Sequence, residues 1–453
     1  MMTLNELCIA ISGQLVGASG NEHFEEISTD TRTLHPGCVF FALRGEKFDA
    51  HDFIEEAVRA GATCAVVEKL LPVDISQIQV RDSRRALGLA AAHWRSKFKI
   101  PVIAVTGSNG KTTVTQMIAK ILEEAVGEKE RLATQGNFNN DIGVPLTLFR
   151  LRPEHQFAVL ELGMNHTGEI SYLSQIAKPT VALVNNAQRE HQEFMGSVEA
   201  TAEENGQTIL ALEDSGVAIY PSTDECAPIW RLMAAEHARI EFGINGEGDI
   251  TGKYKANPDG LTLDVSIQGD QVFTAKLQVF GLHNAHNAMA AISASHAAGI
   301  DILHIQKGLE SFRPVKGRCV PRRSADGATI FDDTYNANPD SVLAAIDLLA
   351  SMGGTQILVL GDMGEVGDQA VEFHLEVGQH AAQQGISHVF SLGDLSQHTT
   401  VAFNQEGKTV HGIHFSSVGE LIERVKTLSN PDVKILVKGS RFMKMEKIVE
   451  AIC

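Results

Sequence analysis

Six cysteines (Cys8, Cys38, Cys64, Cys226, Cys319, Cys453) are scattered through the chain, and no two of them form a C-x-x-C pair. This spacing suits reduced thiols packed as small core residues, as in a cytosolic protein. Basic residues are also in short supply, with 38 Lys and Arg against 56 Asp and Glu and a net charge of −18. That argues against nucleic acid as a partner, because phosphate backbones need clustered cations. No apolar run approaches the length needed to span a bilayer. The first twenty residues lack a basic start and carry Glu6, so they make a poor signal peptide. The expectation is a cytoplasmic protein with no membrane insertion. Repeats and low-complexity tracts are absent.

What the chain does have is 453 residues, 43% of them hydrophobic. Length suggests about three domains, and the apolar content supports several cores. Over 1–99 the pattern predicts a small α/β domain, with strands at 38–43 and 63–67 and helices at 52–60 and 83–97. Pro101 follows a polar helix end, as at a domain boundary. Over 100–312 apolar strands (100–105, 157–162, 180–184) alternate with helices, which implies a mostly parallel sheet covered on both faces. Residues 248–280 read instead as a small antiparallel annex. FRPVKGR at Phe312 reads as a hinge. Over 313–453 strands at 329–331, 356–360, 388–392 and 434–438 alternate with helices, predicting a second, doubly wound sheet. The fold class is therefore α/β in three domains. The central one is of P-loop type, and the C-terminal one is Rossmann-like.

The residues AVTGSNGKTTVTQM, from Ala104, place a short glycine loop between a buried strand and a helix. Such a turn aims backbone N–H groups and the positive end of the helix dipole into one space, which binds phosphate. Gly107, Asn109, Gly110, Lys111, Thr112 and Thr113 are the candidate nucleotide contacts. Lys111 brings a point charge, and the Thr112 hydroxyl can ligate the magnesium (Mg2+) that travels with a triphosphate. The loop is a shortened variant, since Val105 stands where the usual pattern has its first glycine. Glu161 ends the strand in VLELGMNH, the carboxyl end at which open α/β sheets bind ligands, and is placed to hold magnesium. His191 sits just after the next strand. The amides of Asn137, Asn139 and Asn140 cluster in TQGNFNNDIGVP. Asn284, in GLHNAHNAMAA, can reach a purine edge or cap its helix. DDTYNANPDS opens a helix after a strand, another ligand-facing place. Lys438, Ser440 and Arg441 form an anion-binding set in VKGSRFMKME.

Together TGSNGKTT, ELG with Glu161, the His191 segment, GLHNAHNAMAA, RPVKGR and the C-terminal domain resemble the Mur ligase family in order and spacing, over nearly the whole chain. STDTR, FFALRGEKFDAHDF, NFNNDIGVP, YNANPDS and KGSRFMKME resemble the branch that adds D-alanyl-D-alanine. A sister branch, which adds the third residue, would show D-N-P-R where NANPDS stands. A folylpolyglutamate synthetase, a nucleotide switch or motor that makes no bond, and a scaffold are the competing readings. The UDP-type N-terminal region argues against the first, and the intact Lys111, Thr112 and Glu161 against the last.

The resemblance implies an ATP-dependent ligase in peptidoglycan precursor synthesis. It would join D-alanyl-D-alanine to UDP-N-acetylmuramoyl-tripeptide through an acyl phosphate, and is expected to be a monomer. The third tripeptide residue is lysine or diaminopimelate. Residues 1–99 would hold the UDP-sugar peptide through Ser28, Arg32, Arg44, Gly45 and His51. Residues 100–312 would bind ATP and residues 313–453 would close over dipeptide and nucleotide. Lys111, Glu161 and His191 would be catalytic, with Thr112, Glu161 and His191 toward magnesium. Asn284 would meet the adenine, and Arg318 and Asp333 would flank the nucleotide. Asn336, Asn338 and Arg441 would lie over the dipeptide. Family members usually carry a carbamylated lysine fourteen residues after the metal-binding histidine. Here that position is Asn205, which cannot be carbamylated, so Asn205 is expected in the second metal site as a weak neutral ligand.

Overall fold

The computed structural model describes residues 1–453 except 18, 46, 47, 191, 247 and 407–410. It is a three-domain α/β structure built on three larger sheets and a short ribbon, Met2–Thr3 with His23–Phe24. The N-terminal sheet runs Gln14–Val16, Ser76–Gln79, Cys64–Val67, Val39–Phe41, Ile27–Ser28, parallel except for its first pair. Its two faces enter different cores. Phe40, Ala65 and Val67 pack with Ile54 in a core local to this domain. Val39, Phe41 and Val66 join a larger core that also holds Leu87 and Ala91 of the helix Ser83–Ser96 and Val102, Leu160 and Ile170 of the central domain. That helix therefore seals the joint. Its buried Arg95 donates to Ala177 O at 3.0 Å and Lys178 O at 3.1 Å, carbonyls that end a central-domain helix.

The central sheet runs Arg131–Ala133, Phe157–Glu161, Val102–Thr106, Val181–Val184, Val217–Pro221, Ala238–Ile244, Ile250–Asn257, Gly260–Ile267, Asp270–Leu277. Its strands are parallel as far as Ile250–Asn257, and then a meander turns back antiparallel. Every residue of Val102–Thr106 is buried, as a parallel strand with both faces covered requires. The expected annex is thus a continuation of the same sheet. Ala238–Ile244 would otherwise expose an unpaired edge, and Ile250–Asn257 satisfies it.

The C-terminal sheet runs Val320–Arg323, Thr329–Asp333, Val433–Lys438, Thr355–Gly361, His388–Leu392, His411–Phe415, antiparallel only at its first pair. Helices cover both faces over two separate apolar cores. Strand ends at Thr106, Glu161, Val184 and Asp333 all lead into loops that meet in one region, the carboxyl-end crevice of open α/β sheets. Among the described residues no helix is long and apolar enough to cross a membrane.

Candidate functional site

The phosphate loop lies between Val102–Thr106 and the helix Lys111–Val126. Gly107 and Gly110 have φ of 127° and 82°, the left-handed region that glycine enters without strain. Space also demands glycine there. A Cβ on Gly110 would stand 2.2 Å from Asn287 Oδ1, and one on Gly107 3.0 Å from the Asn186 nitrogen. No side chain caps the helix at Gly110, so its first N–H groups face the loop's concavity. Carboxamides fix the loop from behind and beside. Asn109 N donates to Asn186 Oδ1 at 2.8 Å, and Asn185 Nδ2 to Asn109 O at 2.7 Å.

Asn205 belongs to this support. Its Oδ1 accepts from Gly107 N at 2.9 Å, and its carbonyl accepts from the Thr106 hydroxyl at 3.2 Å. It is 1% exposed and is not on the wall of the cavity that Thr112 and Glu161 share. The expectation of a metal ligand at Asn205 is therefore corrected. On the helix Val198–Leu210 its face turns to the underside of the phosphate loop. The neighbouring Glu204 accepts from Ile170 N at 2.8 Å.

The loop opens on a cavity of about 560 Å³ walled mainly by the central and C-terminal domains, with Arg84 of the N-terminal domain at its edge. Its lining includes Lys111, Thr112, Asn137, Asn139, Asn140, Glu161, Arg318, Asn336, Asn338 and Lys438. Glu161 is 2% exposed. Its Oε1 accepts from Asn139 Nδ2 at 2.8 Å, while its Oε2 is buried with no protein partner. An unsatisfied carboxylate oxygen and a threonine hydroxyl lining one cavity fit magnesium, which takes one or two protein oxygens and keeps several waters. His191 lies outside the described residues. Asn140 Oδ1 accepts from Gly143 N at 2.9 Å and so shapes its own turn.

A second cavity, about 270 Å³, adjoins the loop on its other side. Asn109, Gly110, Thr113, His283, Asn284, Arg318, Asp333 and Lys438 are among its walls. Asn284 Nδ2 donates to Phe280 O at 2.9 Å, and its Oδ1 accepts from Asn287 Nδ2 at 3.1 Å, which leaves its amide largely committed. Arg318 lies 3.9 Å above the Tyr335 ring and reaches Thr112 Oγ1 at 3.5 Å, linking the two cavities. Asp333 accepts from Cys319 N at 3.1 Å and from Lys438 Nζ at 2.7 Å. Burial holds the His283 imidazole down to about 4, so it is neutral beside this cavity.

Several expected contacts already have protein partners. Lys438 is 3% exposed and pinned by Asp333 and Asn336 O, at 2.7 and 2.9 Å. The Ser440 hydroxyl joins Ala337 O and Gly364 N. Arg441 is a correction. It lies in the turn Arg441–Met443, on neither cavity wall, and pairs with Glu446 at 2.8 Å. Asn338 caps Pro339–Ala350, bonding Ser341 N at 2.9 Å, and exchanges amide bonds with Asn109 at 2.9 and 3.2 Å. It ties the domains together as well as lining the cavity.

The N-terminal set Ser28, Arg32, Arg44, Gly45 and His51 lies on neither cavity wall. His51 is 5% exposed and both ring nitrogens are used. Nδ1 meets Asp49 at 2.6 Å, and Nε2 accepts from Glu68 N at 2.9 Å. It is a structural histidine, which corrects its placement as a substrate contact. Arg44 pairs with Asp49 at 3.2 Å, and Gly45 N donates to Phe48 O at 2.8 Å. Arg32 pairs with Asp30, whose N donates to Ser28 Oγ at 3.2 Å.

The sequence reading missed Asn185, Asn186, Gln188, Arg189 and Glu190. Their signal was available, since they follow Val181–Val184 at the same carboxyl end that singled out Glu161.

Residues 23–95 match the Mur ligase family catalytic domain, 105–295 the Mur ligase middle domain, and 317–441 the Mur ligase glutamate ligase domain. The chain belongs to the Mur ligase family. It is 37% identical to the Escherichia coli UDP-N-acetylmuramoyl-tripeptide–D-alanyl-D-alanine ligase, covering 100% of this chain and 98% of that protein. Against the Bacillus subtilis enzyme of the same name identity is 34%, over 97% and 96%. Among solved structures it superposes on MurF from Acinetobacter baumannii with a TM-score of 0.92 at 33% identity, covering 99% and 98%. The MurF ligase from Thermotoga maritima, solved in complex with ADP, matches at 0.84 and 26% identity, over 94% and 97%. As a Mur ligase it has the family's three-domain architecture, and its phosphate loop falls within the matched middle domain.

Proposed function

We propose that this Mur ligase joins D-alanyl-D-alanine to UDP-N-acetylmuramoyl-tripeptide, with ATP driving the bond. The observation that carries the reading is the cavity in which Lys111, Thr112 and the unpartnered Glu161 Oε2 face loops of the C-terminal domain. A site to which three domains contribute suits a reaction that must bring three substrates together and keep water out.

A carboxylate is a poor acyl donor, because its leaving group would be oxide. Transfer of the γ-phosphoryl group to the tripeptide carboxylate makes an acyl phosphate and ADP. The free amine of the dipeptide then attacks the carbonyl, and phosphate leaves. Phosphoryl transfer asks the protein mainly for positioning and neutralisation of charge. Lys111 and the open N–H groups at the start of Lys111–Val126 supply that charge. Thr112 and Glu161 would hold magnesium, whose contribution is to neutralise the phosphate oxygens. His191 remains a candidate ligand by resemblance. Arg318, stacked on Tyr335, reaches over the loop from the C-terminal domain and orders the nucleotide between the cavities. Asn137, Asn139, Asn140 and Asn336 are the candidate contacts to the peptide portions. We place the domain boundaries at 1–99, 100–312 and 313–453, in the connectors after Ser83–Ser96 and after Ile302–Ser311. A cytoplasmic monomer is the matching setting.

The test is ligation with purified full-length protein, UDP-muramoyl tripeptide and ATP, with and without D-Ala-D-Ala, following ADP and the ligated product. Dipeptide-dependent product formation supports the proposal. ATP hydrolysis that ignores both peptide substrates rejects it. Lys111→Ala is expected to lower turnover by roughly 10²–10³, as for loss of one charge-stabilising group.

A further inference from the structure

Lys111 has three N–H donors, and all of them are engaged. Its Nζ donates to Gly107 O, to Ser108 O at 3.0 Å, and to Glu190, both of whose carboxylate oxygens lie 3.1 Å away. The Lys111 and Glu190 side chains are 14% and 13% exposed, so the pair is largely shielded from water. The two residues before Glu190 are anchored to different domains. On one side, Gln188 N donates to Ser108 Oγ at 2.9 Å, and Gln188 Oε1 accepts from Asn109 Nδ2 at 2.7 Å. On the other, Arg189 N donates to Asp340 of the C-terminal domain at 2.7 Å. Anchoring the two residues that precede it, one to the phosphate loop and one to the C-terminal domain, limits where the Glu190 carboxylate can stand.

A carboxylate and a terminal phosphate offer a lysine the same thing, an anionic edge of oxygens. Both compete for one ammonium at the mouth of one helix. We propose that Glu190 is a positioning residue that holds Lys111 folded on its loop while the nucleotide is absent, yields it to the terminal phosphate, and takes it back as product leaves. This rests on the nucleotide reading above and deepens it. The exchange has a definite sign. Each phosphate that binds must break a shielded, charge-assisted pair. It also settles near a negative charge, so Glu190 weakens nucleotide binding. The return is release. Recapture of Lys111 by Glu190 favours departure of ADP, a step that limits turnover in many enzymes that close over their substrates.

Glu190→Gln keeps the shape and removes the charge. ADP binding to the full chain is measured by titration calorimetry in EDTA, so that no metal contributes. Glu190→Gln is expected to bind ADP about tenfold tighter, the scale of one charge-assisted hydrogen bond. In a Lys111→Ala background the same substitution is expected to give no gain, because it acts through the lysine. In turnover, kcat and the KM for ATP are expected to fall together. Glu190→Ala is read the same way should the glutamine variant melt early. Unchanged or weaker ADP binding in folded Glu190→Gln, or a gain that survives without Lys111, overturns the inference. Failure of the unsubstituted protein to bind ADP overturns the nucleotide reading instead.

Discussion

Arg189 of the central domain grips Asp340 of the C-terminal domain through three donors. Its Nε and Nη2 lie 3.0 and 2.6 Å from Asp340 Oδ1, and its backbone N lies 2.7 Å from Oδ2. The same guanidinium reaches Glu376 at 2.7 Å and lies 5.2 Å above the Phe373 ring. Burial alone would weaken its charge, but the two carboxylates outweigh burial and raise the pKa further. Both partners of the main pair are under a quarter exposed, 23% and 22%. Removing one leaves a poorly solvated charge, which is far costlier than losing a surface pair. Asp340→Ala is therefore expected to loosen the docked C-terminal domain by about 2 kcal/mol or more. X-ray scattering of the nucleotide-free protein should show a larger radius of gyration than the unsubstituted chain. An unchanged radius would mean that the Arg189–Glu376 pair and the Asn109–Asn338 exchange suffice to hold the domains together.

Asn205 carries the second prediction. Asn205→Ala leaves Gly107 N buried without its acceptor, a penalty of about 1–3 kcal/mol. The phosphate loop should lose its set position, so the KM for ATP rises more than kcat falls, and the melting temperature drops. Because asparagine cannot be carbamylated, activity in CO₂-depleted buffer at mildly acidic pH should not respond to added bicarbonate. Strong rescue by bicarbonate would show that a lysine elsewhere carries a carbamate.

These two residues also mark how far the sequence could be read. The loop 107–113 and Glu161 were legible, because strand, glycine turn and helix fix their geometry locally and strand ends face the crevice. Most strands and helices followed from apolar runs, and the antiparallel annex at 248–280 is present, but its joining to the parallel sheet was not legible. Sheet continuation there depends on an edge that lies elsewhere in the chain. His51, Arg441 and Asn205 defeated the reading for a different reason. Each has a polar side chain suited to a ligand. Its actual partner is Asp49 with Glu68, Glu446, or Gly107, and which one competes successfully is decided by three-dimensional neighbours. Spacing put Asn205 on the right helix without showing that its face meets the underside of the loop.

The third prediction concerns acid. Burial lowers the pKa of His283 to about 4 and also depresses His286 and His374. His374 is fully buried, accepts from Met363 N at 3.1 Å, and its other ring nitrogen meets Ala370 O at 2.7 Å, an arrangement for the neutral ring. In the unfolded chain these rings titrate near 6.5. Between that value and the depressed ones, the unfolded state binds more protons than the folded state. Stability therefore rises with pH through this window and is lost as pH falls from about 6.5 toward 4. Denaturant midpoints measured from pH 7.5 to 4.5 should decline below about 6.5. His374→Gln should flatten part of that decline, and a flat profile in the unsubstituted protein would contradict the assignment.

The last prediction concerns the amine that is accepted. A single amino acid presents its α-carboxylate beside its reacting amine, and a cation suits that carboxylate. In the sister branch the D-N-P-R stretch supplies an arginine. Here the corresponding run is A-N-P-D, so position 340 carries a negative charge in place of a positive one. Asp340 is also held by Arg189, which leaves neither residue free to receive a substrate carboxylate. The loop residues Tyr335, Asn336 and Ala337 instead line the 560 Å³ cavity with an aromatic ring, a carboxamide and a methyl group. A dipeptide places its carboxylate one residue further from the amine, beyond the stretch in which a cation is missing. D-Ala-D-Ala should therefore outcompete any single amino acid. Equimolar labelled D-Ala-D-Ala and free amino acids, offered together with the UDP-muramoyl tripeptide, should yield label almost wholly from the dipeptide. Preferred incorporation of a free amino acid would show that another cation near the cavity replaces the arginine, and the dipeptide assignment would fall.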